Sequence, residues 1–341
     1  MGVTRKTPKL GDVAKAAGLA PATVSRFLNG GIELPPATAE RIRSAIAELG
    51  YRPNPYARSL SRGRTDMLAL AIPDIQNAFF SQLASAVDRC AEEQNLSLLL
   101  CSTANKTARE LDFIERLRRR FFDGLLLATN HADDGTLAEA INTADSNIVL
   151  VDEDVPGARV AKVFSDNEQG GFLAGSHILA AGHRAIAYIG GPPKLMSTVE
   201  RRQGLSNAIS ASSDARLVCC LEHDYTREHG RAAMAEIIAH HRDVTAVFAG
   251  SDEITLGVLE VLREHGLRVA CDLSLVTFDD VGLLHLLDPP VTAIRQPTAE
   301  IGRKAFERLA AAITGESVEI ATERLPVRLV ERASVAAPRR A

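Results

Sequence analysis

Residues 10–31 read LGDVAKAAGLAPATVSRFLNGG, and the spacing of their side chains decides the architecture of the start of the chain. In 10–17, Val13, Ala14 and Ala17 fall on one helical face. Asp12 sits in the first turn, where a carboxylate suits the positive end of the helix dipole. Gly18 tolerates the positive φ that a tight turn between helices requires. A second helix is predicted from Pro21 to Asn29, with Val24 and Leu28 facing the core. Proline suits its first position because the missing N–H would be unpaired there, although Ala20 is a weak cap. After Gly30–Gly31, Pro36–Leu49 carries Ala39, Ile42, Ile46 and Leu49 at helical spacing. Three short helices with tight turns form the smallest scaffold that presents one helix to a DNA major groove.

Charge supports a nucleic-acid partner over a protein-docking bundle. Residues 1–64 hold eleven Lys/Arg against four Asp/Glu, whereas the rest of the chain holds 28 against 39. A basic head on an acidic body places the polyanion at the head. No apolar run approaches the ~20 residues that cross a bilayer, and residues 1–15 contain no apolar stretch able to act as a secretory signal. A cytoplasmic, nucleoid-associated protein with no membrane partner is expected. The five cysteines (Cys90, Cys101, Cys219, Cys220, Cys271) lie in apolar segments without metal-ligand spacing, as in a reducing compartment.

From Met67 short apolar runs alternate with amphipathic helical stretches. Strands are predicted at Leu68–Ile72, Leu96–Cys101, Gly124–Ala128, Asn147–Val151, Ala185–Gly190, Ala215–Leu221, Ala246–Ala249, Leu275–Phe278 and Val291–Ile294. Such alternation implies parallel sheets covered by helices, with ligands beyond the carboxyl ends of the strands. The segment is long enough for two such lobes. The organisation expected is a DNA-binding domain over 1–52, a linker over 53–64, a two-lobed domain over 65–335 and a disordered tail over 336–341.

Several elements occur together in a specific order and spacing: LGDVAKAAGLAPATVSRFLNGG, then ERIRSAIAELGYRPNPYARSL (40–60), IPDIQNAFF (72–80), SDNEQGGFLAGSHILAAGHRAIAYIGGP (165–192) and PPVTAIRQPTAEIG (289–302). With them the chain resembles the lactose/galactose repressor (LacI/GalR) family of transcription regulators as far as Val335. The resemblance implies an all-α helix-turn-helix head and an α/β, two-lobed, periplasmic-binding-protein-like (type I) body with parallel sheets. It implies a homodimer on a pseudo-palindromic operator, controlled by a small-molecule effector, with no enzymatic activity, no cofactor and no metal. The first body helix (near Ser81–Gln94) and Ile254–His265 would lie at the dimer surface.

Carried onto this sequence, the resemblance puts Pro21, Ala22 and Arg26 at base edges and Thr23, Ser25 and Asn29 on phosphates. Arg26 could pair bidentately with guanine, whereas the hydroxyls and amide position the helix. Asn54–Ser61 alone reads as a linker; by resemblance it is a hinge helix in which Ala57 lets two copies approach and Leu60 wedges into the minor groove. The chain would cross between lobes near Phe164, Ile294 and Leu325. Effector residues would be Asn77, Phe79, Phe80, Asp152, Arg201, Tyr225, Ser251, Asp279 and Gln296, with Asp279, Arg201 and Gln296 gripping and Phe80 and Tyr225 stacking. Three departures bear on the ligand, one of them Ser251, which stands where Asn or Asp is common and shortens a bidentate contact. Many sugar-binding relatives have Asp-Arg where this chain has Asp152–Glu153, and many have Arg at Val199. Fewer cations disfavour a phosphorylated effector, so a neutral sugar or sugar alcohol is expected, with a purine or nucleoside as the alternative.

Other signals are set aside. Gly190–Gly191–Pro192 lacks the pattern of a phosphate loop, His240–His241 has no further ligand at metal spacing, and no nucleophile elbow is present. A transport-type binding protein would match the body but not the basic head.

Overall fold

The computed structural model describes residues 8–52, 63–132, 134–144, 147–316 and 319–339. They form two compact units that divide between Asp66 and Met67. The first holds α1 (Leu10–Ala17), α2 (Pro21–Leu28) and α3 (Pro36–Leu49). Val13, Ala14, Ala17, Val24, Ile42 and Ala45 close its core. Gly18 adopts φ +64° at the end of α1, and the Arg41 guanidinium donates to the Ala17 carbonyl there, tying α3 to the turn. Leu49, the last residue at the helical spacing noted above, is 38% exposed. At 14 residues α3 outruns the two eight-residue helices it packs on, so its last turn passes the core.

The second unit contains two six-stranded sheets. One is built from β1 (Met67–Ile72), β2 (Ser97–Ser102), β3 (Gly124–Leu127), β4 (Ile148–Val151), β5 (Ala161–Ser165) and β11 (Thr322–Leu325). Its order is β11-β5-β4-β3-β1-β2, and every pairing is parallel. The other comprises β6 (Ala185–Gly190), β7 (Arg216–Glu222), β8 (Ala246–Ala249), β9 (Ser274–Phe278), β10 (Thr292–Arg295) and β12 (Arg328–Val330), in the order β12-β10-β9-β8-β6-β7. Only the β10–β12 pairing is antiparallel. Fully buried central strands such as LLL of β3 and IVLV of β4 are what a sheet covered on both faces demands.

Helices α4 (Ala78–Glu93), α5 (Thr107–Arg118), α6 (Thr136–Thr143) and α11 (Thr298–Thr314) belong to the first sheet's lobe; α7 (Asn167–Ala180), α8 (Met196–Ser210), α9 (Arg227–His240) and α10 (Asp252–Glu264) belong to the second's. Each sheet has one apolar cluster per face. The chain passes between lobes after β5, after β10 and after β11, close to Phe164, Ile294 and Leu325. Residues 336–339, expected to be disordered, are instead fastened to the second lobe. Ala336 donates to Ser274 and accepts from its hydroxyl, and Arg339 pairs with Asp272 at 2.6 Å. No helix among the described residues is long and apolar enough to cross a membrane.

Candidate functional site

Parallel strands aim their carboxyl ends in one direction, and in this fold the two sheets aim theirs at a common cavity of about 510 Å³ between the lobes. Asn77 follows β1, Asn130 and His131 follow β3, and Asp152 and Glu153 follow β4. From the other lobe come Tyr225 after β7, Ser251 after β8, Asp279 after β9 and Gln296 after β10, while Ser197 and Arg201 lie on α8. All nine residues predicted for effector contact line this one cavity. Sequence reasoning passed over Asn105, Asn130, His131 and Ser197. The rule that a ligand lies beyond strand ends would have found the first three, since each follows β2 or β3.

Local chemistry fixes these side chains. Asn77 and Ser251 cap α4 and α10, their side-chain oxygens accepting from the N–H groups of Phe79 (2.9 Å) and Ile254 (3.3 Å). Phe79 and Phe80 meet edge to face, 5.2 Å between ring centres, and form a largely buried wall. The Tyr225 hydroxyl lies 2.9 Å from both Ser197 Oγ and Thr198 Oγ1. A Cβ on Gly191 would overlap the Tyr225 ring: the Gly-Gly pair set aside as a phosphate loop makes room for this aromatic.

Arg201 is the cation of the cavity floor. It is buried, with its guanidinium 3.6 Å above the centre of the Phe278 ring. Nε donates to Asn167 Oδ1 (2.8 Å) and Nη1 to the Gly250 carbonyl (2.6 Å). Gln296 donates to Asp279 Oδ1 (2.6 Å) and accepts from Ser165 Oγ (2.5 Å), so the first two crossovers are hydrogen-bonded to each other beneath the cleft. Across the cleft, the Ser197 N–H in the first turn of α8 donates to both Glu153 oxygens at 3.3 Å.

Three carboxyls share this floor. Burial pushes Asp152 up to about 8, with Glu153 adding to the rise and Arg201 opposing it. Burial likewise lifts Glu153 to about 7, against its bonds from Ser197, and raises Asp279 against the pull of Arg201 and Gln296. Asp152 and Asp279 both adopt positive φ, +70° and +76°, a backbone region that aspartate tolerates better than most residues. Behind them Asp252 is lifted to about 7 by burial and by the neighbouring Asp279 and Glu253, and its Oδ1 is buried with no partner among the described residues. Val199, another position of departure, does not line the cavity.

In the first unit, α2 turns Val24 into the core and leaves Pro21, Ala22 and Arg26 exposed, with Thr23, Ser25 and Asn29 half-buried beside them. Positions 22, 25, 26 and 29 share one face at helical spacing. Arg26 makes no ion pair among the described residues. Ala57 and Leu60, with the rest of 53–62, lie outside the described residues. Among those described, no group of three or more His, Cys, Asp or Glu is placed to hold a metal.

Residues 9–54 match the family of bacterial regulatory proteins of the lacI type, and residues 176–335 match a periplasmic binding protein-like domain. The chain is 36% identical over 336 residues to the HTH-type transcriptional regulator CelR of Thermobifida fusca, covering 96% of each protein. Among solved structures it is similar to the lac repressor dimer bound to operator and the anti-inducer ONPF, with 26% identity, a TM-score of 0.84, and 97% of this chain and 100% of that one covered. It is also similar to a complex of CelR with cellobiose, with 34% identity, a TM-score of 0.73, and 96% and 99% covered.

Proposed function

The chain belongs to the lacI family of bacterial regulatory proteins, and from that premise we propose that it represses transcription as a homodimer whose hold on a pseudo-palindromic operator is set by a saccharide bound between the lobes. It is a DNA-binding regulator and not an enzyme. The observation that carries the reading is that the nine side chains the resemblance implies for effector contact all line one cavity beyond the strand ends, in a chain whose first unit presents an exposed Arg26 on a short second helix. The relative solved with cellobiose supports a saccharide. Asn and Gln amides with carboxyls from both lobes, beside Phe79, Phe80 and Tyr225, suit the hydroxyl edges and apolar faces of a pyranose.

In this reading Arg26 reads a base edge, Thr23, Ser25 and Asn29 hold phosphates, and Ala57 and Leu60 belong to a hinge that orders over the operator centre. The protein works in the cytoplasm, on the nucleoid. Two exposed apolar patches favour self-association: Leu99 and Leu100 on edge strand β2, and Leu283, Leu286 and Leu287 after β9. Saccharide binding changes the angle between lobes and so the spacing of the two hinges. Linkage is reciprocal: a ligand that weakens operator binding is itself bound more weakly by the operator complex, by the same factor.

The test uses the full chain and the duplex it selects from a random pool. Thermal shift with sugars, polyols and nucleosides finds the ligand, and fluorescence anisotropy then measures operator affinity with and without it. A saccharide that raises the melting temperature and changes operator affinity at least about fivefold is the expected result. Stabilisation by nucleosides alone would transfer the site to the purine class, and operator affinity indifferent to every bound ligand would end the proposed coupling.

A further inference from the structure

Resting on the saccharide reading above, we infer that the ligand of this cleft carries a positive charge: it is an amino sugar, with an ammonium group seated on the Asp152 carboxylate.

The cavity floor is unbalanced in charge. Asp152, Glu153 and Asp279 face a single guanidinium, Arg201, and that guanidinium is already committed to Asn167, to the Gly250 carbonyl and to the face of Phe278. Asp252 stands buried behind Asp279. On the same lining Asp74, Asp224 and Glu253 add more carboxyls, and among the described residues the only other ionisable nitrogen there is the imidazole of His131, which meets buried Glu110 at 2.7 Å. A phosphorylated or carboxylated ligand meets more carboxyls than cations here, and a neutral one offers Asp152 nothing that favours its ionised form.

The three floor carboxyls differ in what they lack. Glu153 is engaged by the Ser197 N–H, and Asp279 by the Gln296 amide. The Asp152 carboxyl receives no hydrogen bond from the described residues, although it is largely enclosed and opens onto the cavity. Burial above all, with Glu153 adding to it, raises its pKa to about 8, so that in the empty cleft a proton quenches its charge. A ligand ammonium performs that quenching better, because it also donates hydrogen bonds to the carboxylate. Phe79, Phe80 and Tyr225 complete an environment that accepts a cation on its aromatic faces. Binding is thus an exchange: the ammonium enters, Asp152 ionises, and the displaced proton leaves to solvent.

Calorimetry on the full chain at pH 7, in two buffers of different ionisation enthalpy, reads both halves of this exchange. Matched probes keep the skeleton and change the charge: glucose, glucosamine and N-acetylglucosamine, and cellobiose with its fully deacetylated diglucosamine and di-N-acetyl counterparts. The expected result is an amine bound at least about tenfold tighter than its hydroxyl or N-acetyl counterpart, with an enthalpy that depends on the buffer and reports proton release. In the Asp152→Asn variant, its fold checked by circular dichroism, the preference for the amine over its neutral counterparts and the proton release are both lost. Neutral sugars bound as tightly as amines, without proton release, would overturn this inference and leave the saccharide reading intact. Failure of every saccharide, charged or neutral, to bind would overturn both.

Discussion

Asp152 shows how one side chain can tie the acidity of a site to the stability of its fold. The folded chain keeps the Asp152 proton up to about pH 8, whereas the ordinary value is 3.8. Across that window the folded state binds the extra proton, so this group makes the ligand-free body less stable as pH rises. Asp152→Asn holds the neutral shape permanently. It is expected to melt higher than the unaltered protein at pH 8, by an amount worth about 1–3 kcal/mol, because Glu153 and Asp279 share the burden of charge and take up part of the relief. The gap should shrink steadily toward pH 5 in scanning calorimetry; a gap that held constant would mean that Asp152 is ionised in the folded protein. Arg26 acts at the other end of the chain. Exposed and without an ion-pair partner among the described residues, it has its whole donor fork available for a base edge. Arg26→Ala should leave the melting temperature within about a degree and cost about 1–3 kcal/mol of discrimination at one base pair, read by competition between the selected duplex and single-site variants. Equal weakening on every duplex would instead assign Arg26 to the phosphates.

Helix packing decides where the gripping side chains point. In the second lobe α7 and α8 cross so closely that a Cβ on Gly171 would overlap the Arg201 carbonyl, and one on Gly204 the Glu168 carbonyl. Gly230 and Gly257 play the same part where α9 meets α10. Arg201 therefore reaches the cavity floor because two glycines let its helix lie against the neighbour's backbone. Gly204→Ala must push the helices apart, at a cost of about 1–3 kcal/mol, and it should also lower saccharide affinity without altering any residue that lines the cleft. Denaturant unfolding gives the first quantity and calorimetry the second; lost stability with unchanged affinity would show that Asn167, the Gly250 carbonyl and Phe278 hold Arg201 without help from the close helix crossing. These close crossings are hard to see in the sequence, where SDNEQGGFLAGSHILA reads as a glycine-rich helix of low amphipathicity. The strands were legible unevenly for a related reason. The central ones are continuous apolar runs because both faces are covered, whereas β5 (AKVFS), β11 (TERL) and β12 (RLV) went unpredicted. Their charged side chains find partners outside the strand, as Glu323 does on Lys304 and Arg308 and Lys162 does on Asp154, so the apolar pattern breaks where the structure does not. The cleft residues were legible through resemblance and strand ends; the neighbours that hold them, Asn167, Phe278 and Ser197, depend on tertiary proximity that no local pattern encodes.

At the scale of the molecule the question is what one chain can do alone. A single head on one half-site makes too few contacts for a specific hold, so the proposed regulator needs its dimer. The β2 edge exposes Leu99 and Leu100 at 37% and 47%, and Leu283 and Leu286 in the second lobe are about 70% exposed. Each lobe thus shows exposed apolar side chains of its own that a second copy could cover. Charge placed in either patch should separate the chains without entering either core. Leu100→Asp and Leu286→Asp together are expected to give a monomer at micromolar concentration by analytical ultracentrifugation, with saccharide affinity within about twofold of the parent, because the cavity is built by one chain. Operator affinity in the same variant should fall by at least about a hundredfold, since one half-site's contacts and the shared hinge are lost together. Saccharide should then no longer change what DNA binding is left, as coupling acts through the spacing of two heads. A monomeric variant whose remaining DNA binding still answered to the ligand would place the switch inside a single chain, between its own body and head, and the dimer would be only a means of doubling the grip.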